Sequence, residues 1–302
     1  MKVLNEDIFE LFNRGNQLST TSYRGRFAPT PSGFLHLGNI RTAFASWLIA
    51  RLQKGRWLLR IDDLDSPRMT LGSIERIQDD LIWLGLDWDG PVIFQSERII
   101  FYESVISLLK KQKKLYACQC SRKLLSQGNK GSKESIYPGT CRDLSLPMSS
   151  KDGKRTSLRL KVSKAFSKNC GDIAIKRSDG FISYNFATVI DDLLLGINDV
   201  VRGEDLAKVM FSQLAVIDAL NQRKLSYRHV SLLSDSDGKK LSKRNSDISL
   251  VNLRDIGIKS HQVIGWLAWS LGITPDLSSI TALELLQDLI QKKKSIENIF
   301  II

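Results

Sequence analysis

Apolar positions along the chain repeat with two different periods. From Ile40 they fall at Ile40, Ala43, Phe44, Trp47 and Leu48, and in "SIERIQDDLIWLGL" at Ile74, Ile77, Leu81 and Leu84. Both are helical spacings. The run "RIIFYESVISLLKKQKKL" predicts a further helix, closing on lysines as the helix dipole favours. Between these lie shorter apolar runs. "GRWLLRIDDLD" (Gly55–Asp65) predicts a strand that opens into an acidic loop, and "PVIFQS" a short strand. Alternation of this kind predicts an α/β fold with a parallel sheet and crossover helices. Such sheets bind ligands at the carboxyl ends of their strands, where loops meet helix N-termini.

The rhythm breaks between Tyr116 and Arg177, where "SQGNKGSKES" is a polar Gly/Ser/Lys-rich loop. It resumes with "GFISYNFATVIDDLLLGINDVVRGEDL", the helix "KVMFSQLAVIDALN" and the strand "YRHVSLL". Beyond Leu250 the pattern is helical to the end. The expected organisation is an N-terminal extension (1–23), a first half of the sheet domain (24–115), an insertion (116–177), a second half (178–250) and a helical C-terminal region (251–302). The first residues carry acids and lack a compact apolar core, so they do not resemble a signal peptide. No run is apolar enough to span a bilayer, and a cytoplasmic location without a membrane partner is expected.

Composition changes this picture in two places. Among 302 residues the formal net charge is +12, which suits a polyanionic partner such as tRNA, other nucleic acid or a membrane surface, and equally a plain solvated basic face. The four cysteines are Cys118, Cys120, Cys141 and Cys170. Two thiols one residue apart do not pair easily with each other, but they can ligate one metal ion from a turn, with Cys141 closing the loop. Reduced, unliganded thiols are the alternative.

Candidate chemistry concentrates in "RFAPTPSGFLHLGN" (Arg26–Asn39). Pro29 and Pro31 stiffen the loop, Gly33 and Gly38 free the backbone, and His36 stands at the mouth of a helix whose N–H groups attract phosphate. A nucleotide cradle or a purely structural turn both satisfy these residues. No Walker A pattern occurs. Some two hundred residues later, "SDSDGKKLSKRNSD" gathers Lys239, Lys240, Lys243 and Arg244.

Taken together, "HLGN" (His36–Asn39) and "KLSKR" (Lys240–Arg244) resemble the HIGH-type and KMSKS-type signatures of class I aminoacyl-tRNA synthetases. With "RIDDLD", "SYN" and "VRGEDL", the resemblance from Arg24 to Leu250 is to the glutamate branch. Only about fifty residues follow the KMSKS-type loop, too few for the anticodon-binding region of a full glutamyl-tRNA synthetase. The chain is therefore most similar to the glutamyl-Q tRNA(Asp) synthetase family, which lacks that region.

The resemblance implies a Rossmann-like catalytic sheet with an inserted zinc-binding subdomain. It implies activation of L-glutamate by ATP without tRNA, then transfer to queuosine in the anticodon loop of tRNA(Asp), by a monomer. It places His36, Lys240 and Lys243 in catalysis and His36, Gly38, Asn39 and Lys243 at ATP, with Mg²⁺. Glutamate would meet Arg26, Phe27, Ala28, Pro29, Thr30, Asp62, Tyr184 and Arg202. Asp62 would take the ammonium, and Arg26 and Arg202 can each grip a carboxylate bidentately. The implied Zn²⁺ ligands are Cys118, Cys120, Tyr137 and Cys141, and Cys170 stands outside the pattern. Asp62 departs from the family, which usually has glutamate there. Two other functions compete: a truncated or split glutamyl-tRNA synthetase charging the 3′ end, and a silent paralogue that binds RNA. Intact His36, Lys243, Arg26 and Arg202 weigh against the second.

Overall fold

A computed structural model of the chain describes residues 7–121, 136–148, 156–232, 249–294 and 300–301. The first elements are α1 (Ile8–Thr21), β1 (Arg24–Phe27), α2 (Leu37–Leu52), β2 (Arg56–Ile61), α3 (Ser73–Leu84) and β3 (Ile93–Phe94). Then come α4 (Ile99–Lys111), β4 (Leu115–Cys118), β5 (Ser157–Leu160), α5 (Lys164–Cys170), β6 (Ile173–Lys176) and α6 (Tyr184–Leu194). The last are β7 (Asp199–Gly203), α7 (Val209–Leu220), β8 (Ser226–Val230), α8 (Leu250–Asp255), α9 (Ser260–Ser270), α10 (Ala282–Gln291) and β9 (Phe300–Ile301). They form two compact units, one of Met1–Asn16, Ser96–Leu195 and Lys208–Lys224, the other of Gln17–Gln95, Gly196–Ala207 and Leu225–Ile302.

The second unit holds the parallel strands. β1 pairs with β2 from Arg24↔Arg56 to Phe27↔Leu59, and β2 passes to β3 at Arg60↔Ile93. β7 and β8 run parallel from Asp199↔Ser226 to Gly203↔Val230. The two sets meet along β1, where Asn198 N donates to Arg24 O at 3.1 Å and Arg24 N to Asn198 Oδ1 at 2.8 Å. All four β1 residues are buried, as expected for a strand covered on both faces. The predicted stripe of α2 is the centre of the core: Ile40, Ala43, Phe44 and Leu48 are fully buried, with Trp47 beside them. Trp57, Leu59, Ile61, Ile264, Leu267 and Leu285 belong to the same cluster. Burial of each large apolar side chain stabilises the fold by roughly 1.5–3 kcal/mol. Gly265 of α9 is a close-approach position, since a Cβ there would come within 1.7 Å of the Ser278 carbonyl oxygen.

One expectation is corrected here. The chain is not helical to its end, because Phe300 and Ile301 pair antiparallel with Val230 and His229. "FII" is β-branched and aromatic, a composition that fits a pleated edge better than a helix.

The first unit contains an antiparallel sheet in the order β4-β5-β6, with helices α4, α6 and α7. Residues 116–177 lie within it. Asp191 of α6 is fully buried and held by Arg98 Nε at 2.6 Å and by the Tyr102 hydroxyl at 2.7 Å. Residues expected as an N-terminal extension include α1, a packed helix with Leu11 and Phe12 buried. A Cβ on Gly15 would lie 2.1 Å from the Leu193 carbonyl oxygen, so only glycine allows that approach. Among the described residues, no helix is long and apolar enough to cross a membrane.

Candidate active site and metal centre

His36 is the N-cap of α2, in extended geometry, and its Nδ1 accepts the Asn39 amide at 3.3 Å. An accepting Nδ1 places the proton of the neutral imidazole on Nε2, which is then a donor. A Cβ on Gly38 would meet the His36 ring at 3.1 Å, so this glycine is what lets the ring lie back over the first turn. The "HLGN" spacing therefore makes a self-capped helix mouth: the histidine satisfies one amide, and the dipole end faces outward for an anion.

Residues 233–248, with Lys240 and Lys243, lie outside the described residues. The residues flanking them are fastened to α2. Ser249, where the description resumes, forms a β-bridge with His36. On the other side, Arg41 of α2 donates to the Ser231 carbonyl at 2.5 Å. The described residues on either side of that segment, Ser231 and Ser249, thus both contact His36 or α2.

At the carboxyl ends of β1, β2 and β7 stand buried charges. Arg26 donates to Val201 O at 3.2 Å across β1 and β7. Arg202 donates through Nε to His229 Nε2 at 3.2 Å and lies 4.8 Å from the Tyr227 ring centre. Burial, and then the Arg202 charge, push His229 below the usual histidine range. Asp62 follows β2 and is gripped by Arg60, with Nε to Oδ1 at 2.6 Å and Nη2 to Oδ2 at 3.3 Å. Its amide donates to Pro29 O at 2.9 Å, which joins "RIDDLD" to the proline loop. Phe27 is buried and stacks near-parallel on Trp57, and Pro29 is buried while Thr30 is exposed. Of the expected glutamate residues, Arg26 to Thr30, Asp62 and Arg202 lie in this unit, whereas Tyr184 opens α6 in the other.

In the first unit, β4 ends at Cys118, and the thiols of Cys118, Cys120 and Cys141 all lie within 4.8 Å of one another. Cys120 and Cys141 are 3.5 Å apart, and the Tyr137 hydroxyl is 3.4 Å from Cys118 and 3.7 Å from Cys120. A tetrahedral ion with ordinary Zn–S and Zn–O lengths has edges of about 3.5–3.8 Å, so these four groups fit one ion. Burial alone would raise the Cys118 thiol, but Tyr137, the Cys120 amide and Arg159 together bring it down to about 7. Cys120 is pushed up to about 11, by burial first and then by the neighbouring thiols. A divalent ion would favour the thiolates of both. Cys170 lies apart, its thiol near Phe166 O.

Several supporting residues are invisible in the motif reading. Asp172 accepts from Val162 N and Arg142 Nη1, both at 2.9 Å, and from the Tyr116 hydroxyl at 2.8 Å, bracing the strands under the cysteines. Arg159 lies 3.7 Å from the Tyr137 ring centre. Arg60 in "RIDD" carried the one available signal, since residues i and i+2 share a face at a strand end. His229 and Arg41 carried none, because their partners are distant in sequence.

Residues 22–298 match the family described as tRNA synthetases class I (E and Q), catalytic domain. A glutamyl-Q tRNA(Asp) synthetase of Prochlorococcus marinus (strain MIT 9313) is 50% identical over 297 residues, 98% of this chain and 97% of that protein. A protein of the same name from Nocardia farcinica (strain IFM 10152) is 38% identical over 275 residues, 86% of this chain and 88% of that one. The fold is similar to the crystal structure of a glutamate tRNA ligase from Elizabethkingia meningosepticum in complex with its amino acid, at 26% identity and a TM-score of 0.75. That match covers 91% of this chain but 65% of the ligase, just under two thirds of its length.

Proposed function

Because the chain belongs to the class I (E and Q) tRNA synthetases, and among them to the glutamyl-Q tRNA(Asp) synthetases, we propose that it is a ligase that activates L-glutamate with ATP and transfers it to queuosine in the anticodon loop of tRNA(Asp). The observation that supports this reading is the self-capped mouth of α2, where His36 accepts from Asn39 and is bridged to Ser249. The near-complete mutual coverage with relatives of that name favours the queuosine acceptor over the 3′ end.

In the first half-reaction a glutamate carboxylate oxygen attacks the α-phosphorus of ATP, and the bond to pyrophosphate breaks. Carboxylate is already a nucleophile, so positioning and charge stabilisation suffice. His36, through its Nε2 donor, the Gly38 amide and the Asn39 side chain receive phosphate oxygens, with Lys240 and Lys243 supplying positive charge. Mg²⁺, when bound with ATP, neutralises the leaving pyrophosphate. Arg26 and Arg202 hold the carboxylates of glutamate, Asp62 faces its ammonium while paired with Arg60, and Phe27 to Thr30 line the approach. In the second half-reaction a nucleophile on queuosine attacks the activated acyl carbon and AMP leaves.

Cys118, Cys120, Cys141 and Tyr137 hold one structural Zn²⁺, which ties the turn after β4 to the segment near Cys141. Thiols kept reduced for a metal agree with a cytoplasmic enzyme. The proposed working form is a monomer.

The test incubates the protein with ATP, labelled glutamate and tRNA, then locates the label. Removing the 3′-terminal adenosine should leave transfer unchanged, and tRNA from cells unable to make queuosine should accept none. Label that vanishes with the 3′ adenosine would make the protein a shortened glutamyl-tRNA synthetase.

A further inference from the structure

Next to the mouth of α2 the chain exposes apolar side chains that the core does not use. Phe34, two residues before His36, is 61% exposed, and Leu71 is fully exposed. The loops that carry them are fastened together, since Thr70 N and Ser73 Oγ donate to the Pro31 carbonyl at 2.9 and 2.8 Å. Gly72 then turns the chain into α3 with φ at 74°, a left-handed value that suits glycine. Arg76, in the first turns of α3, places its guanidinium 5.8 Å from the centre of the Phe34 ring. Arg68 lies on the same loop but is paired with Asp65 at 2.7 Å, so Arg76 is the cation that faces the ring.

An exposed ring beside a guanidinium, with an exposed aliphatic side chain on the loop fastened to its own, is the chemistry that stacks an unpaired nucleobase and meets its phosphate. A stable protein partner covers about 800 Å² on each side, far more than two apolar side chains provide. The chain's surplus of +12 favours a polyanion over a neutral partner. Position adds to this. Activated glutamate has to form beside His36, so the acceptor nucleotide must arrive within a few residues of Phe34.

We propose that Phe34, Leu71 and Arg76 form a stacking platform for an unpaired base of the RNA, a neighbour of the nucleotide that receives glutamate. This deepens the function proposed above and rests on its acceptor being RNA.

The experiment compares the wild-type protein with Phe34→Ala, Phe34→Trp and Leu71→Ser in two assays. One is tRNA-free pyrophosphate exchange with ATP and glutamate. The other is equilibrium binding of fluorescent, queuosine-containing tRNA(Asp), which requires no chemistry. Phe34→Ala should leave exchange within about twofold while weakening tRNA binding roughly five- to a hundredfold, as expected for one lost stacked base. Phe34→Trp should bind like the wild type, and Leu71→Ser should weaken binding a few-fold. Unchanged binding for Phe34→Ala overturns the platform. So does a parallel fall in exchange, which would make Phe34 a support of the catalytic loop. So would a wild-type dimer that dissociates in Phe34→Ala by sedimentation, which would make the patch a protein contact. Failure of the proposed function is a separate result: a wild-type protein that exchanges nothing with glutamate, or that loads the 3′ end, while the binding comparison still decides the platform.

Discussion

The guanidinium of Arg41, in the second turn of α2, donates to the Ser270 carbonyl at 2.7 Å and closes the C-terminus of α9. The same group reaches the Ser231 carbonyl at the exit of β8. One buried cation therefore meets the negative end of a helix dipole and fixes a strand exit. Arg41→Ala should destabilise the protein by roughly 2–4 kcal/mol, because two carbonyls lose a charged donor. Arg41→Lys should recover part of this, since an ammonium cannot fork to both. Urea unfolding of the three proteins checks the order.

Asp62 faces a guanidinium that is wholly buried. Asp62→Asn keeps the shape and removes the balancing charge, so it should cost about 3 kcal/mol of stability. It should also raise the KM for glutamate in pyrophosphate exchange. Asp62→Glu, which keeps the charge and lengthens its reach, should activate glutamate at least as well as the wild type. Unchanged exchange in Asp62→Asn would remove this residue from ammonium binding.

His229 should give the proposed glutamate site an acid limb. Its folded-state pKa is depressed by burial and by Arg202. The unfolded chain therefore binds a proton first, and stability is present above about pH 6.5 and is lost as pH falls below it. In the folded protein protonation puts a second positive charge against Arg202 and removes its acceptor nitrogen, so activation should fall at a lower pH than the one at which stability begins to drop. Asp80 works in the opposite direction: burial raises its carboxyl to about 6, so stability from this group rises as pH falls through that value. Comparing His229→Gln with the wild type cancels the Asp80 contribution. The variant should show a flatter acid limb in both unfolding and exchange.

Cys120→Ser should release the metal and loosen the segment from Tyr116 to Arg142 while leaving amino-acid activation largely intact. Elemental analysis of chelator-free protein should find about one zinc per chain in the wild type. Limited proteolysis should cut the variant faster in that segment. Protein purified without chelators and holding no zinc would count against the site.

Amino-acid choice should follow the two buried arginines. Glutamate should be activated well ahead of glutamine, and Arg202→Ala should cost more with glutamate than with a neutral analogue, because a carboxylate is left unpaired. Exchange assays with each amino acid decide this. Equal rates would refute it.

What could be read from the sequence was whatever is local. The apolar spacing of α2, the strand before "DDLD" and the cysteine pair at the end of β4 each depend on residues a few positions apart, and each stands where expected. The "HLGN" stretch even contains its own explanation, since His36 caps Asn39 and rests on Gly38. What could not be read depends on distant partners. Arg202 with His229, Arg41 with Ser270 and Asp172 with Tyr116 are polar pairs created by tertiary packing, and no periodicity announces them. Helix α1 lay between the two cases: "IFELF" was apolar enough, but its acids and its place at the chain start disguised a helix whose glycine meets Leu193.

The two-residue strand β9 has a consequence for solubility. Without it, β8 would present an uncovered row of amides and carbonyls at His229 and Val230, a template on which another extended chain could add. β9 occupies those positions and, at two residues, is itself too short to seed further growth. Mutations that unzip Phe300 and Ile301 are thus expected to appear first as concentration-dependent precipitation, before any change in the catalytic residues is detectable.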